Sequence, residues 1–199
     1  MKGIFNFIVE PKGDRYTNIK DNNGKELILN TEMQNHMYTN RVGIVKSIPS
    51  VYNTDIKVGD EVVVHHNVFR RFRNMRGEEV NSRSYFDENL YLVNNDQLFM
   101  YKRDGVWVAN DGFCFVKPIK ETKAFAENEE KPLIGIIKYK DKNNTGFEVG
   151  DLVGFKPNSE YEFLIEGKRL YRIPNNFITI KYEYKGDEVE YNTSWEESC

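Results

Sequence analysis

One short pattern occurs twice in this chain and sets the strongest constraint on its fold. The first copy, Ile56–Val64, reads IKVGDEVVV, and the second, Phe147–Phe155, reads FEVGDLVGF. Each copy consists of a polar approach, a Val-Gly-Asp turn and an apolar segment. Glycine tolerates the positive φ that a tight turn can need, and aspartate hydrogen-bonds the backbone of such a turn. The β-branched run that follows favours a half-buried strand.

The neighbours of the two copies also repeat, and they do so in the same order. Each copy is preceded by an apolar segment with a central glycine and, further upstream, by an apolar segment that ends in proline. Each is followed by Leu-Tyr, a polar turn and a closing apolar segment. The matched segments are Arg41–Lys46 with Leu133–Lys138, Phe7–Pro11 with Phe115–Pro118, and Leu90–Leu98 with Leu170–Ile178. Four elements in one order predict a tandem duplication.

The duplication predicts two domains, residues 1–104 and 105–186, followed by an acidic tail over 187–199 that is frayed or ordered only by a partner. Short apolar segments between Gly, Asn and Asp turns, without an amphipathic helical period, predict an all-β fold. We expect Pro11 to end the pairing of the first strand. The predicted strands are 4–9, 42–48, 58–66, 90–93, 98–101, 113–117, 133–139, 152–156, 161–165, 169–173 and 177–184.

Composition limits the functions open to the chain. Its net charge of −3 argues against a protein built to bind nucleic acid or an anionic membrane. No apolar run has the length of a transmembrane helix, and the N-terminal segment lacks the features of a signal peptide. Two cysteines, Cys114 and Cys199, form no disulfide framework. A reducing cytoplasm is therefore the expected location.

No motif in the sequence indicates an enzyme. A nucleophile–base pairing, a phosphate-binding glycine loop and a dinucleotide fingerprint are all missing, so we expect no catalytic residue and no cofactor. His65 and His66 are adjacent in a predicted strand, where side chains alternate between faces, so we expect no metal site. The basic run Arg70–Arg76 has acidic neighbours, and we interpret it as a solvated or inter-subunit hairpin rather than a nucleic-acid site.

The segment Lys12–Asn40 has turn and loop composition, and a loop of this length in a compact domain is usually functional or disordered. At its centre stands an aliphatic triplet, Leu27, Ile28 and Leu29, between polar residues. We interpret the triplet as a ligand for another surface, and the alternative is a short ordinary strand folded onto the domain. The corresponding loop in the second copy, Ile119–Lys131, is shorter and charged, with Ala124-Phe125-Ala126 as its apolar cluster.

In order and spacing, these elements resemble the GroES co-chaperonin family over most of the chain. The resemblance is strongest at Val42–Val45 and Lys57–Val63, and it implies two small GroES-like β-barrels in tandem. In that family a mobile loop, here about 12–40, carries an aliphatic triplet that docks on the chaperonin. By position, the triplet here is Leu27, Ile28 and Leu29. Family members usually place glycine just before the triplet, whereas Gly24 lies two residues further out.

Two further departures set this chain apart from the family pattern. The segment between Val45 and Lys57 is too short for a long roof hairpin, which is similar to bacteriophage co-chaperonins with a more open dome. The second copy also lacks an aliphatic triplet, although tandem relatives carry a mobile loop in each domain. The second domain therefore looks like a spacer, a wall or a substitute for the roof.

The resemblance implies a co-chaperonin that caps an ATP-bound GroEL-type chaperonin around an unfolded client protein. Its location would be the cytoplasm, or the host cytoplasm if the chain is phage-encoded. Burial of three aliphatic side chains contributes about 5–8 kcal/mol, and ordering the loop costs about 2–5 kcal/mol. One loop alone would bind weakly, so a homo-oligomeric ring, with a heptamer favoured, would supply avidity. The alternative is a structural ring or virion component that reuses the duplicated barrel without binding a chaperonin.

Overall fold

The computed structural model describes residues 2–16, 19–22, 25–28, 39–121, 129–183, 186 and 188–192, and for 19–22 and 25–28 it describes the backbone. These residues form seventeen strands and no α-helix, so the fold is all-β as predicted. The strands are β1 Phe7–Pro11, β2 Ile19–Asn22, β3 Lys25–Ile28, β4 Val42–Ser47, β5 Glu61–Val64, β6 Arg71–Arg73, β7 Glu79–Asn81, β8 Tyr85–Asp87, β9 Leu90–Val93, β10 Leu98–Arg103, β11 Val106–Ala109, β12 Phe113–Lys120, β13 Glu130–Lys140, β14 Leu152–Phe155, β15 Tyr161–Ile165, β16 Lys168–Pro174 and β17 Ile178–Tyr182. No helix in this part of the chain is long and apolar enough to cross a membrane.

The chain divides into two compact units, Met1–Val106 and Trp107–Cys199. The first contains most of a seven-stranded sheet with the order β11-β10-β5-β4-β1-β9-β8, and the second contains a six-stranded sheet with the order β15-β16-β12-β13-β14-β17. Two small sheets, β2-β3 and β6-β7, complete the described strands. The predicted domain limits at 104/105 and 186/187 stay a prediction.

The two large sheets share one strand order. The ladder β10-β5-β4-β1-β9-β8 of the first unit corresponds strand by strand to the ladder β17-β14-β13-β12-β16-β15 of the second. The register agrees as well, because Pro11 pairs with Gly43 in the first unit and Pro118 pairs with Gly135 in the second. Each segment that the sequence repeats therefore occupies an equivalent place in its own unit.

The core residues correspond in the same way. In the second unit Val116 lies opposite both Ile137 and Tyr171, and all three are buried. In the first unit Val9 lies opposite Val45 and Tyr91, and these residues are also buried. Burial of the same ladder positions explains why these positions are apolar in both copies.

The Val-Gly-Asp turn has the same geometry in both units. Gly59 and Gly150 have φ values of 93° and 96°, a region that favours glycine. The Asp60 carboxylate accepts a bond from the Lys57 amide at 2.8 Å, and Asp151 accepts one from the Glu148 amide, also at 2.8 Å. The repeated Gly-Asp pair thus fixes the turn that leads into β5 and β14.

Several predicted strand limits are confirmed and others are wrong. Strands β9 and β15 have the predicted limits of 90–93 and 161–165. The first strand begins at Phe7 rather than residue 4, and Pro11 continues its pairing with β4. Pro11 is tolerated because β9 pairs with β1 only from Phe7 to Val9, so no second ladder needs the missing N–H. The predicted strand 58–66 begins at Glu61, because Val58–Asp60 belong to the turn.

The interpretation of Lys12–Asn40 as a segment without secondary structure is also wrong. Strands β2 and β3 form an antiparallel hairpin, with Ile19 opposite Ile28 and Asn22 opposite Lys25. The loop of the second unit contains fewer residues than the predicted range Ile119–Lys131, because β12 extends to Lys120 and β13 begins at Glu130. Its apolar cluster, Ala124-Phe125-Ala126, lies outside the described residues.

Candidate functional site

The predicted docking triplet lies partly on the β2-β3 hairpin. Leu27 is opposite Lys20 and Ile28 is opposite Ile19, while Leu29 lies outside the described residues. Within the described part of the chain this hairpin is a separate two-stranded sheet, paired with neither large sheet. The backbone of Leu27 and Ile28 therefore lies in a strand that is not part of the domain sheet. The docking interpretation and the alternative of a strand folded onto the domain both stay predictions.

The two ends of the segment that carries the hairpin are tied together at its base. Tyr16 forms an antiparallel bridge with Thr39, and the Asn40 amide donates to the Arg15 carbonyl at 2.9 Å. The Asn40 side chain donates to the carbonyls of Lys12 and Asp14, and its Oδ1 accepts from the Val42 amide. A single asparagine thus satisfies backbone groups on both chain ends, so the segment leaves and rejoins the first unit at one place.

Arg15 fastens this base to the interior of the first unit. Its Nε and Nη2 donate to the Phe69 carbonyl at 3.0 and 2.7 Å, and its Nη1 donates to Asn81 Oδ1 at 3.0 Å. The guanidinium also stacks over the Tyr91 ring at 5.4 Å from the ring centre. A planar, forked donor suits this double contact with one carbonyl, and lysine has no equivalent geometry.

Burial dominates the electrostatics of this base. Burial lowers the pKa of the Arg15 guanidinium, and the nearby Tyr91 opposes that change. Burial raises the pKa of Tyr91, against the effect of Arg15. Next to this pair, the Tyr16 hydroxyl accepts a bond from the Arg71 amide at 2.6 Å, which connects the base to β6. Residues 12–16, 39–42, 69–71 and 91 therefore form one support, which we call the loop base.

The second unit has a different arrangement at the position equivalent to the loop base. Lys120 pairs with Glu130 and the Glu121 amide donates to the Glu129 carbonyl at 2.9 Å, so the strands continue almost to the loop itself. Tyr171, the counterpart of Tyr91, donates to Glu130 at 2.8 Å, and Arg169 stacks over its ring. Arg169 pairs with Glu130 and Glu162 at 2.9 and 3.0 Å. In the first unit the arginine that stacks on the tyrosine, Arg15, belongs to the long segment Lys12–Asn40. In the second unit the stacking arginine, Arg169, belongs to β16.

The basic run Arg70–Arg76 begins a β-hairpin, β6-β7, as the sequence indicated. Arg71 pairs with Glu79, and Arg70 lies 4.7 Å from the centre of the Phe72 ring. The turn is fixed by Asn74, whose Oδ1 accepts from the amides of Arg76 and Glu78. The cross-strand acid partly neutralises the run.

The two histidines differ from the sequence prediction, whereas Cys114 is buried in strand β12. His65 and His66 follow β5 rather than lying in it, and their rings stack at 4.2 Å, so the prediction of opposite faces is wrong. In the described ranges no three or more His, Cys, Asp and Glu residues could together hold a metal ion. Burial raises the pKa of the Cys114 thiol to about 12. Cys199 lies outside the described residues.

Part of the predicted tail is attached to the second unit. Glu190 forms an antiparallel bridge with Ile119, the Lys120 amide donates to the Val189 carbonyl at 2.8 Å, and the Tyr191 amide donates to the Pro118 carbonyl at 2.9 Å. The expectation of a frayed tail is therefore wrong for residues 188–192, and 193–199 lie outside the described residues. Burial of Lys117 beneath this segment is a tertiary effect that composition does not predict.

Comparison with known proteins adds no assignment. No protein-family model matches the sequence, and no curated protein matches it. The resemblance to the GroES family thus remains a proposal that depends on the motifs and their order in the sequence.

Sequence reasoning selected the triplet but missed the loop base. Arg15 and Asn40 stand in a segment of loop composition, where their types alone carry no positional signal. The hairpin itself had a signal, because Asn23-Gly24 separates two segments of equal length and Asn-Gly favours two-residue hairpin turns.

Proposed function

We propose that this chain is a GroES-type co-chaperonin, built of two tandem small β-barrels, that caps an ATP-bound GroEL-type chaperonin. Leu27, Ile28 and Leu29 contact the chaperonin, and an unfolded client occupies the chamber. The nucleotide site belongs to the chaperonin, so this chain needs no cofactor and no catalytic residue. The chain acts in the cytoplasm, or in the host cytoplasm if it is phage-encoded.

The observation that carries the proposal is the loop base. A separate hairpin bearing Leu27 and Ile28 is inserted between two chain ends that Asn40 and Arg15 fasten to the first unit. Under this proposal, two residues of the docking triplet lie on a strand that is paired with neither large sheet. The second unit closes the equivalent position between Lys120 and Glu130, which agrees with one docking element per chain.

The test replaces Leu27, Ile28 and Leu29 with serine in the full chain. We expect capture by an ATP-bound chaperonin to fall at least tenfold, because each site of the ring loses its apolar contact and the loss multiplies over the ring. Refolding of a chaperonin-dependent client should be lost in parallel, while the circular dichroism spectrum should stay the same.

A matched control uses the other loop. Replacing Ala124, Phe125 and Ala126 with serine removes the apolar cluster of the second unit and should leave capture within twofold of the original chain. If the triplet variant still supports refolding, or if the two variants lose capture equally, the assignment of the docking site is wrong. A chain that binds no GroEL-type chaperonin at all would favour the structural ring or virion component.

A further inference from the structure

The two units differ in charge at one equivalent pair of positions. In the first unit Glu10, just before Pro11, pairs with Lys46 of the neighbouring strand. In the second unit the residue just before Pro118 is Lys117, and the counterpart of Lys46 is Lys138. Two lysines thus replace an ion pair, and Lys138 disfavours the charged form of Lys117.

The segment 188–192 supplies the missing acid. Glu190 pairs with Lys138, and Asn192 Oδ1 accepts a bond from the Lys117 ammonium. Lys117 is only 2% exposed, and burial lowers its pKa, with Glu190 opposing and Lys138 adding to that change. A lysine this buried needs a partner, and within the described residues its hydrogen-bond partner comes from this segment.

The segment also extends the sheet. Strand β16 pairs with β12 only between Phe113 and Val116. Further along β12, residues 188–192 pair with Pro118–Lys120 through two main-chain hydrogen bonds and the Ile119–Glu190 bridge. Asn192 further contacts Gly167 and Arg169, and Arg169 lies 5.3 Å from the centre of the Tyr191 ring. The position is therefore a site for an extended acidic strand, with both backbone and charge recognition.

We propose that this site on β12, which we call the latch site, exchanges its strand between copies, so that residues 188–192 of one chain bind the latch site of a second copy. The occupant is identified by the structure itself, because the segment that fits the site is present in every copy. The Lys138–Glu190 pair is solvent-accessible, at 36% and 46% side-chain exposure, so this ion pair by itself contributes little to binding the segment. Tethering favours the segment of the same chain in dilute solution, and a high local concentration of copies favours exchange.

The test separates the two halves of the contact in two full-length variants. In the donor, Lys138→Glu places a carboxylate beside Lys117, restores an internal ion pair like Glu10–Lys46 with the charges exchanged, and repels Glu190. In the acceptor, Glu190→Lys repels the segment from an intact latch site. The donor therefore has a free segment 188–192 but a latch site that no longer binds it. The acceptor has an intact, vacant latch site but a segment 188–192 that cannot bind there.

The readout is a photo-crosslink from benzoylphenylalanine placed at Tyr191 of the donor to isotope-labelled acceptor. We expect crosslinks to acceptor residues 117–120 in the mixture, at least ten times more than when donor is mixed with labelled donor. The double variant Lys138→Glu with Glu190→Lys regains its contact within one chain and should crosslink internally. Equal intermolecular crosslinking in the donor–acceptor and donor–donor mixtures would overturn the proposal.

The otherwise unsubstituted chain gives an independent measurement. With benzoylphenylalanine at Tyr191 as its only change, mixed labelled and unlabelled copies should show an intermolecular share of crosslinks to 117–120 that rises with protein concentration. A share that stays at background up to the highest concentration reached would contradict exchange, whatever the two charge variants do.

Discussion

Gly43 of β4 lies so close to Val9 of β1 that a Cβ at position 43 would come within 2.4 Å of the Val9 Cγ1 atom. The same position would lie 2.9 Å from the Glu10 carbonyl oxygen, a backbone atom that cannot turn aside. Gly135 stands in an equivalent place, where a Cβ would come within 2.5 Å of Val116 Cγ1 and of the Lys117 carbonyl oxygen. The repeated glycine is therefore a requirement of two strands in close contact.

We predict that Gly43→Ala and Gly135→Ala each lower the free energy of unfolding by about 1–3 kcal/mol, because overpacking forces the strands apart. Urea denaturation measures the change. Gly146→Ala is the matched control, since its Cβ would meet only the Asn144 side chain at 3.5 Å, and its effect should be several times smaller. Equal effects at all three positions would show that close strand contact is not the cause.

Arg15→Ala should destabilise the first unit by about 2–3 kcal/mol, because the Phe69 carbonyl loses a charged donor and Tyr91 loses its stacked cation. Arg15→Lys should recover little of this loss, since lysine cannot repeat the forked contact. Thermal and urea unfolding measure both variants. Arg76→Ala removes an exposed arginine of the β6-β7 turn and should stay within about 0.5 kcal/mol of the original chain.

Asp151→Asn should lower stability by about 1 kcal/mol at pH 7 and much less in acid. Burial acts to raise the pKa of the Asp151 carboxyl, but the bonds from Lys181 and the Glu148 amide outweigh it, and the pKa is lowered. The stability that Asp151 contributes is therefore complete above its unfolded value, about 3.9, and disappears as the pH falls through the lower folded value.

Free energies of unfolding at a series of pH values check this sign. The difference between the original chain and Asp151→Asn should shrink below about pH 4, where the Asp151 carboxyl of the unfolded chain begins to be protonated. Asp104→Asn changes an exposed residue in the turn between β10 and β11 and should have a small effect at every pH. A difference that grows in acid would contradict the assigned charge contact.

The backbone amides of Leu27 and Ile28 should exchange with solvent much faster than that of Val45, because an isolated two-stranded hairpin is marginally stable in water. Hydrogen exchange followed by mass spectrometry measures both in one experiment. Under the proposed function, an ATP-bound chaperonin should slow exchange at the hairpin and leave Val45 unchanged. Equal protection of all three amides in the free chain would contradict a docking role.

Under the proposed function, seven chains should form the closed ring, because one docking triplet per chain matches one site per subunit of a seven-fold chaperonin. Native mass spectrometry measures the number directly. A closed tetramer as the main species would exclude this arrangement, since four triplets would leave three sites empty.

The repeat allowed the all-β class and the equivalent strands of the two units to be predicted, because it marks positions with strict local requirements. Gly59 and Gly150 need a positive φ, Asp60 and Asp151 bond the turn, and the buried partners Val9 and Val116 must be apolar. The sequence did not reveal contacts between residues far apart in the chain. Arg15 contacts Phe69 and Tyr91, and Glu190 contacts Lys138. These residues are more than 50 positions apart in the sequence, and only folding brings them together.

The 2.9 Å bond between the Asn40 amide and the Arg15 carbonyl makes this point of the first unit a natural insertion port for protein engineering. Whatever stands between Tyr16 and Thr39 begins and ends at almost the same spot, so the β1-β4 ladder need not respond to its length. A doubling of loop length costs only about 0.6 kcal/mol in closure entropy. Epitopes or affinity peptides can therefore be displayed here as interchangeable cassettes.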